Sequence, residues 1–92
     1  MINPTQIPTV KPRIMLREDF DDWGILFDQD NARSSGINPI GVEIWKLMDG
    51  ERNVEEITAE LRGAVEDPPE HISDDVVLFI TSLIEQGFVE IK

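Results

Sequence analysis

The sequence predicts an α+β domain, with a small three-stranded antiparallel β-sheet followed by three α-helices in a winged helix-turn-helix-like arrangement. Three observations predict it. Up to residue 37 the apolar residues alternate in short runs, as in half-buried strands. From residue 38 they recur at i, i+3 and i+4, as in amphipathic helices. Glycines and a Pro-Pro pair divide that second part into three.

Residues 1–12 read as a flexible tail. Pro4, Pro8 and Pro12 recur every four residues among polar neighbours, and proline suits neither a helix interior nor a central strand. The folded domain is expected over residues 13–92. Arg13 to Arg17 forms a short first strand. Trp23, Ile25 and Phe27 alternate with Gly24, Leu26 and Asp28 in a second. Between Asp28 and Asn31 the chain turns, because Asp and Asn bond their own backbone and tolerate left-handed conformations. Arg33, Ser34, Ser35, Gly36 and Ile37 form a polar third strand, suited to a sheet edge.

Asn38 caps the first helix and Pro39 takes its first position. Ile37 staples onto Val42, and Ile40, Ile44, Leu47 and Met48 line one face until Gly50 ends the helix. Asn53 followed by Glu56 opens the second helix as a capping box, with Val54, Ile57, Leu61 and Ala64 or Val65 inward. Asp67-Pro68-Pro69 stops it. The third helix carries Ile72, Val76, Phe79, Ile80, Leu83 and Ile84, with Val77 widening the stripe. Ser73 or a slightly earlier residue caps it and Gly87 terminates it. Phe88 to Ile91 alternates as a short closing strand. Trp23 and Trp45 are expected in the core.

Composition narrows the function. At 92 residues there is room for one core. Nineteen acidic against eight basic side chains give a net charge of −11, most of it in residues 38–92. Such a surface repels phosphate backbones and anionic membranes, so nucleic acid and membrane are excluded as partners. The second helix, the recognition-type element, offers Glu55, Glu56, Glu60 and Glu66 against Arg62, which no major groove accepts. Cysteine is absent, which removes disulfides and thiolate chemistry and is compatible with a cytoplasmic location.

No catalytic or metal constellation emerges. Asp28 and Asp30 begin like a calcium loop, but Ala32, Arg33 and Pro39 stand where a ligand, a glycine and a glutamate are needed, so a solvated turn is expected. His71 is the only histidine and is expected at the surface near a helix start. Ser34 and Ser35 have no base in reach of the pattern. No cofactor is expected, and the chain reads as a binding module without catalysis.

The run Asn38-Pro39-Ile40-Gly41-Val42-Glu43-Ile44-Trp45-Lys46-Leu47-Met48-Asp49-Gly50, followed by Asn53-Val54-Glu55-Glu56-Ile57, resembles the PqqD family. So do Phe79 to Val89, with the exit Leu83-Ile84-Glu85-Gln86-Gly87-Phe88, and the strand Trp23 to Phe27. The resemblance spans residues 13–91. It implies a peptide chaperone that binds the leader of a ribosomally made precursor peptide and presents it to a modifying enzyme, often a radical S-adenosylmethionine enzyme with a SPASM extension. The leader is then an extra antiparallel strand on the third strand, lying against the third helix. On this chain the implied peptide-binding residues are Arg33, Ser34, Ser35, Gly36 and Ile37 with Val76, Val77, Ile80, Leu83 and Ile84, of which Val77, Ile80 and Ile84 are expected nearest the groove. The acidic second helix is either a docking face for the enzyme or a solvated face. The competing reading is an acidic winged-helix interaction or regulatory subunit that binds no leader.

Overall fold

The computed structural model describes residues 1–65 and 67–92, with Phe20 described by its backbone alone; Glu66 lies outside the described residues. The elements are β1 (Pro8–Val10), β2 (Ile14–Glu18), β3 (Gly24–Asp28), β4 (Arg33–Ile37), α1 (Pro39–Leu47), α2 (Val54–Ala64), α3 (Ile72–Glu85) and β5 (Val89–Ile91). Strands β2, β3 and β4 form an antiparallel meander in that order, and the three helices follow as expected.

The register places side chains in rows. Met15, Phe27 and Ser34 share one row, and Arg17, Ile25 and Gly36 the next, all on the outer face. Leu16, Leu26 and Ser35 share a row on the inner face, where Leu26 is fully buried. The strand over residues 24–28 therefore buries Gly24, Leu26 and Asp28, and leaves Trp23, Ile25 and Phe27 at least partly in solvent. This corrects the expectation for Trp23; Trp45 is buried as expected. The reason is the close approach of α1. A Cβ on Gly24 would stand 2.9 Å from Val42 Cγ2 and 2.8 Å from Leu16 Cδ1, so the face that carries glycine packs against the helix.

Local signals explain most helix ends. Asn38 Oδ1 accepts from the Gly41 N–H at 2.7 Å, and Asn53 and Glu56 form the reciprocal capping box at 2.8 and 2.9 Å. Gly50 has φ +82° but lies beyond the end of α1, in the turn where Asp49 accepts from the N–H groups of Glu51 and Arg52. Ser73 does not cap α3. It lies inside the helix and accepts from Arg62, while the N-cap position is the exposed His71. Gly87, at φ +83°, ends α3, with its N–H on Ile84 O and the Phe88 N–H on Leu83 O.

Residues 1–12 are packed, not a flexible tail. β1 pairs antiparallel with β5, and Ile2 is buried in the core. The segment also completes α2. Gln6 and Pro4 carbonyls accept from the first two helical N–H groups, those of Val54 and Glu55, at 3.1 and 3.0 Å. Proline frequency does not register this, because the proline positions that deny a helix still permit an edge strand.

Candidate functional site

β4 hydrogen-bonds to β3 on one side, and among the described residues no strand pairs with its other side. Its backbone groups on that side are available to an incoming strand. The side chains suit access: Ser34 and Gly36 are small and exposed, Ser35 is half-buried, and Ile37 is anchored in the core.

One flank of α3 faces this edge. A Cβ on Gly41 would lie 2.9 Å from the Phe79 ring and 3.2 Å from Ile37 Cβ, so Phe79, Gly41 and Ile37 meet where β4 joins α1. At the other end, Arg33 donates to the Gln86 carbonyl, and its guanidinium sits over the Phe88 ring, 5.3 Å from the centroid. At about 100° per residue, Phe79, Ser82 and Gln86 share this flank, with exposed Asp75 at its solvent side, while Leu78 stands with Val77, Met1 and Asp74 on the other. Gln86 Nε2 donates to Ser82 Oγ at 3.1 Å, which holds the two together.

The structure brings the five strand residues of the sequence reading to this site but places the helix residues elsewhere. Val76, Ile80 and Leu83 are core residues, shielded from any ligand. Val77 is on the opposite flank, in a depression of about 500 Å³ lined by Val54, Thr58, Arg62, Ser73 and Pro4. Ile84 shares that flank by helical phase. The physical reason is that a stripe of apolar positions identifies the buried side of a helix and not which neighbour lies on each flank. Phe79, Ser82 and Gln86, on the flank toward β4, lie outside the expected binding set for the same reason.

Asp28 is no solvated turn residue. It is 1% exposed, and its carboxylate accepts from the Asp30 and Asn31 N–H groups, Asn31 Nδ2 and Arg13 Nε. The bond from Asn31, joined by those from the backbone and Arg13 and opposed by desolvation, holds its pKa below the ordinary value of 3.8. This carboxylate fixes the β3–β4 turn and so the start of β4. Among the described residues no group of His, Cys, Asp and Glu is placed to hold a metal, and no helix is long and apolar enough to cross a membrane.

These features define a class of small α+β domain in which a three-stranded sheet keeps one edge open beside its last helix. The chain belongs to the PqqD family, whose model, coenzyme PQQ synthesis protein D, matches residues 24–89. It is 34% identical over 59 residues to a PqqA binding protein of Rhizobium meliloti (strain 1021), covering 64% of this chain and 60% of that one. The match thus spans under two thirds of the length of that curated relative. In fold it is similar to TbiB1 solved in complex with the TbiA(beta) leader peptide, at TM-score 0.73 and 18% identity, over 89% of this chain and 94% of that one. It is similar to lasso peptide synthetase B1 complexed with the leader peptide, at TM-score 0.72 and 18% identity, over 90% and 96%. The heterocyclase TruD contains the same fold, at TM-score 0.67 and 16% identity, over 95% of this chain but 12% of TruD.

Proposed function

We propose that this chain is a peptide chaperone without catalysis of its own, which takes the leader of a ribosomally made precursor peptide as an added antiparallel strand on β4 and presents the rest to a modifying enzyme. The carrying observation is the open edge of β4 beside Phe79, Ser82 and Gln86 in a member of the PqqD family. The names of the similar proteins, a PqqA binding protein and two leader-peptide complexes, support it. That TruD carries the fold inside a larger heterocyclase supports delivery to an enzyme. We assign that enzyme to the radical S-adenosylmethionine class with a SPASM extension, and the pair to the cytoplasm.

Energetics set the form of the ligand. Ordering an extended peptide costs about 1–2 kcal/mol per residue. Each backbone hydrogen bond returns only about 0.5–1.5 kcal/mol net. Two or three apolar leader side chains, at about 1.5–3 kcal/mol each, are therefore needed against the flank that carries Phe79. Alternation along the added strand sends every second leader residue toward that flank.

The test is an amide-shift titration of labelled protein with a candidate leader peptide. Shifts concentrated in residues 33–37 and at Phe79, Ser82 and Gln86 are expected. Shifts confined to β2 or to the Val77 depression sink the proposed mode. A partner protein bound with no leader shift favours the acidic interaction subunit.

A further inference from the structure

Seven large apolar side chains are exposed among the described residues, and four of them share the outer face of the β2–β3–β4 sheet: Met15 at 53%, Trp23 at 52%, Ile25 at 39% and Phe27 at 41%. Scattered exposed apolar residues need no explanation, but a contiguous set does. The register makes three of these contiguous, since Met15 stands opposite Phe27 and Ile25 lies on the same side of β3; Trp23 is the residue directly before β3 and continues its alternation. With Arg17 and Ser34, three of them line a depression of about 460 Å³. A one-sided antiparallel sheet ordinarily turns polar residues to solvent here.

We propose that this face is a second docking surface, occupied by a partner protein that presents an apolar anchor framed by Lys and Arg. Resting on the leader-binding reading, that partner is the enzyme receiving the peptide. Charge selects the occupant. Asp21 and Asp22 border the face at one end, where Glu18 is engaged with Lys46 at 2.8 Å, and Asp30 borders it at the other, 4.0 Å from Arg13; Arg17 on the face is the one cation in its rows. A second copy, itself at −11, would bring these carboxylates against its own. Area points the same way. A large side chain buries about 150–250 Å² in full, so four half-exposed ones offer on the order of 400 Å². A stable interface needs about 800 Å² per partner, so the patch suits the anchor of a transient complex.

Two further features fit this use. Asp21 and Asp22 hold successive left-handed conformations, φ 62° and 65°, directly before Trp23, in a turn that leaves the indole outward. On the β4 side the face carries only Ser34 and Gly36, so a strand added to β4 leaves it unobstructed and adds its own outward row. Enzyme and leader are then bound at once, on one face and one edge of the same sheet.

The test uses the full chain, a fluorescent candidate leader peptide and a purified radical S-adenosylmethionine enzyme that modifies that peptide. W23S/F27S alters two exposed side chains, with the fold checked by circular dichroism. Affinity for the enzyme is expected to fall at least tenfold, while leader affinity changes less than twofold. D21N/D22N keeps residues that accept a left-handed backbone. It should slow association with the enzyme and weaken its salt dependence. Unchanged enzyme affinity in W23S/F27S overturns the proposal, as does a wild-type chain that does not bind the enzyme. A wild-type dimer dissolved by W23S/F27S in sedimentation equilibrium also overturns it, by assigning the face to a second copy. A wild type that binds enzyme through this face but no leader supports the docking surface and overturns the leader reading instead.

Discussion

At Asp28 a single carboxylate organises the β3–β4 turn, and with it the strand whose edge stays open. It accepts from two backbone N–H groups and two side chains while nearly buried. Its pKa is depressed on folding, so its contribution is present above the ordinary carboxylate value of 3.8 and is lost as pH falls through the lower folded value. Asp28→Asn should lower Tm by several degrees at neutral pH, and the gap from the wild type should close in thermal melts below that value. Leu78 belongs to the same scale. At 56% exposure it contributes little to the core, so Leu78→Ser should leave Tm within about 3 °C. Leader affinity should stay within about twofold, because Leu78 stands beside Val77, Met1 and Asp74 and away from β4. Ile80→Asp is a different experiment: at a fully buried position it unfolds the domain and reports nothing about the ligand.

At the scale of elements, caps and close approaches set where the helices lie. Asn53 and Glu56 satisfy each other's backbone at the start of α2, and Asn53→Ala should cost about 1 kcal/mol, read as a Tm lower by about 4–8 °C. Gly41 is required by distance, since a Cβ there would meet the Phe79 ring at 2.9 Å. Gly41→Ala must move that ring along the flank beside β4. Weaker leader binding with a near-wild-type Tm is the expected signature, and a variant that binds normally would show that Phe79 is not a wall of the site. These elements were largely legible. Asn38-Pro39 and Asn53-x-x-Glu56 act within one helical turn, so their meaning does not depend on the rest of the chain. Less legible was the β3 alternation: it located the strand, but Trp23 was expected in the core, when the side with Gly24 and Leu26 packs on α1.

For the whole molecule, the two chain ends close the domain. β1 and β5 pair, Lys11 N–H reaches Phe88 O, and Lys92 N–H reaches Ile7 O. Ile2 enters the core, and Pro4 and Gln6 cap α2. Deleting residues 1–11 should therefore destabilise the domain by more than the about 1.5–3 kcal/mol of Ile2 burial alone, measured by urea unfolding. If the shortened chain unfolds at the same urea midpoint, the segment is dispensable to stability.

The sequence by itself determined the three-stranded sheet and the three helices in their order, the acidic character and the PqqD resemblance. Those follow from periodicity, caps and composition, which are local or additive properties. The tertiary structure alone decided three things: that the proline-spaced start becomes a strand, that Trp23 and its neighbours face outward, and that Phe79 rather than Val77 stands beside β4. Each depends on which surfaces meet across long stretches of chain. The close approach of residue 79 to residue 41 is such a meeting, and no repeat within a helix encodes it.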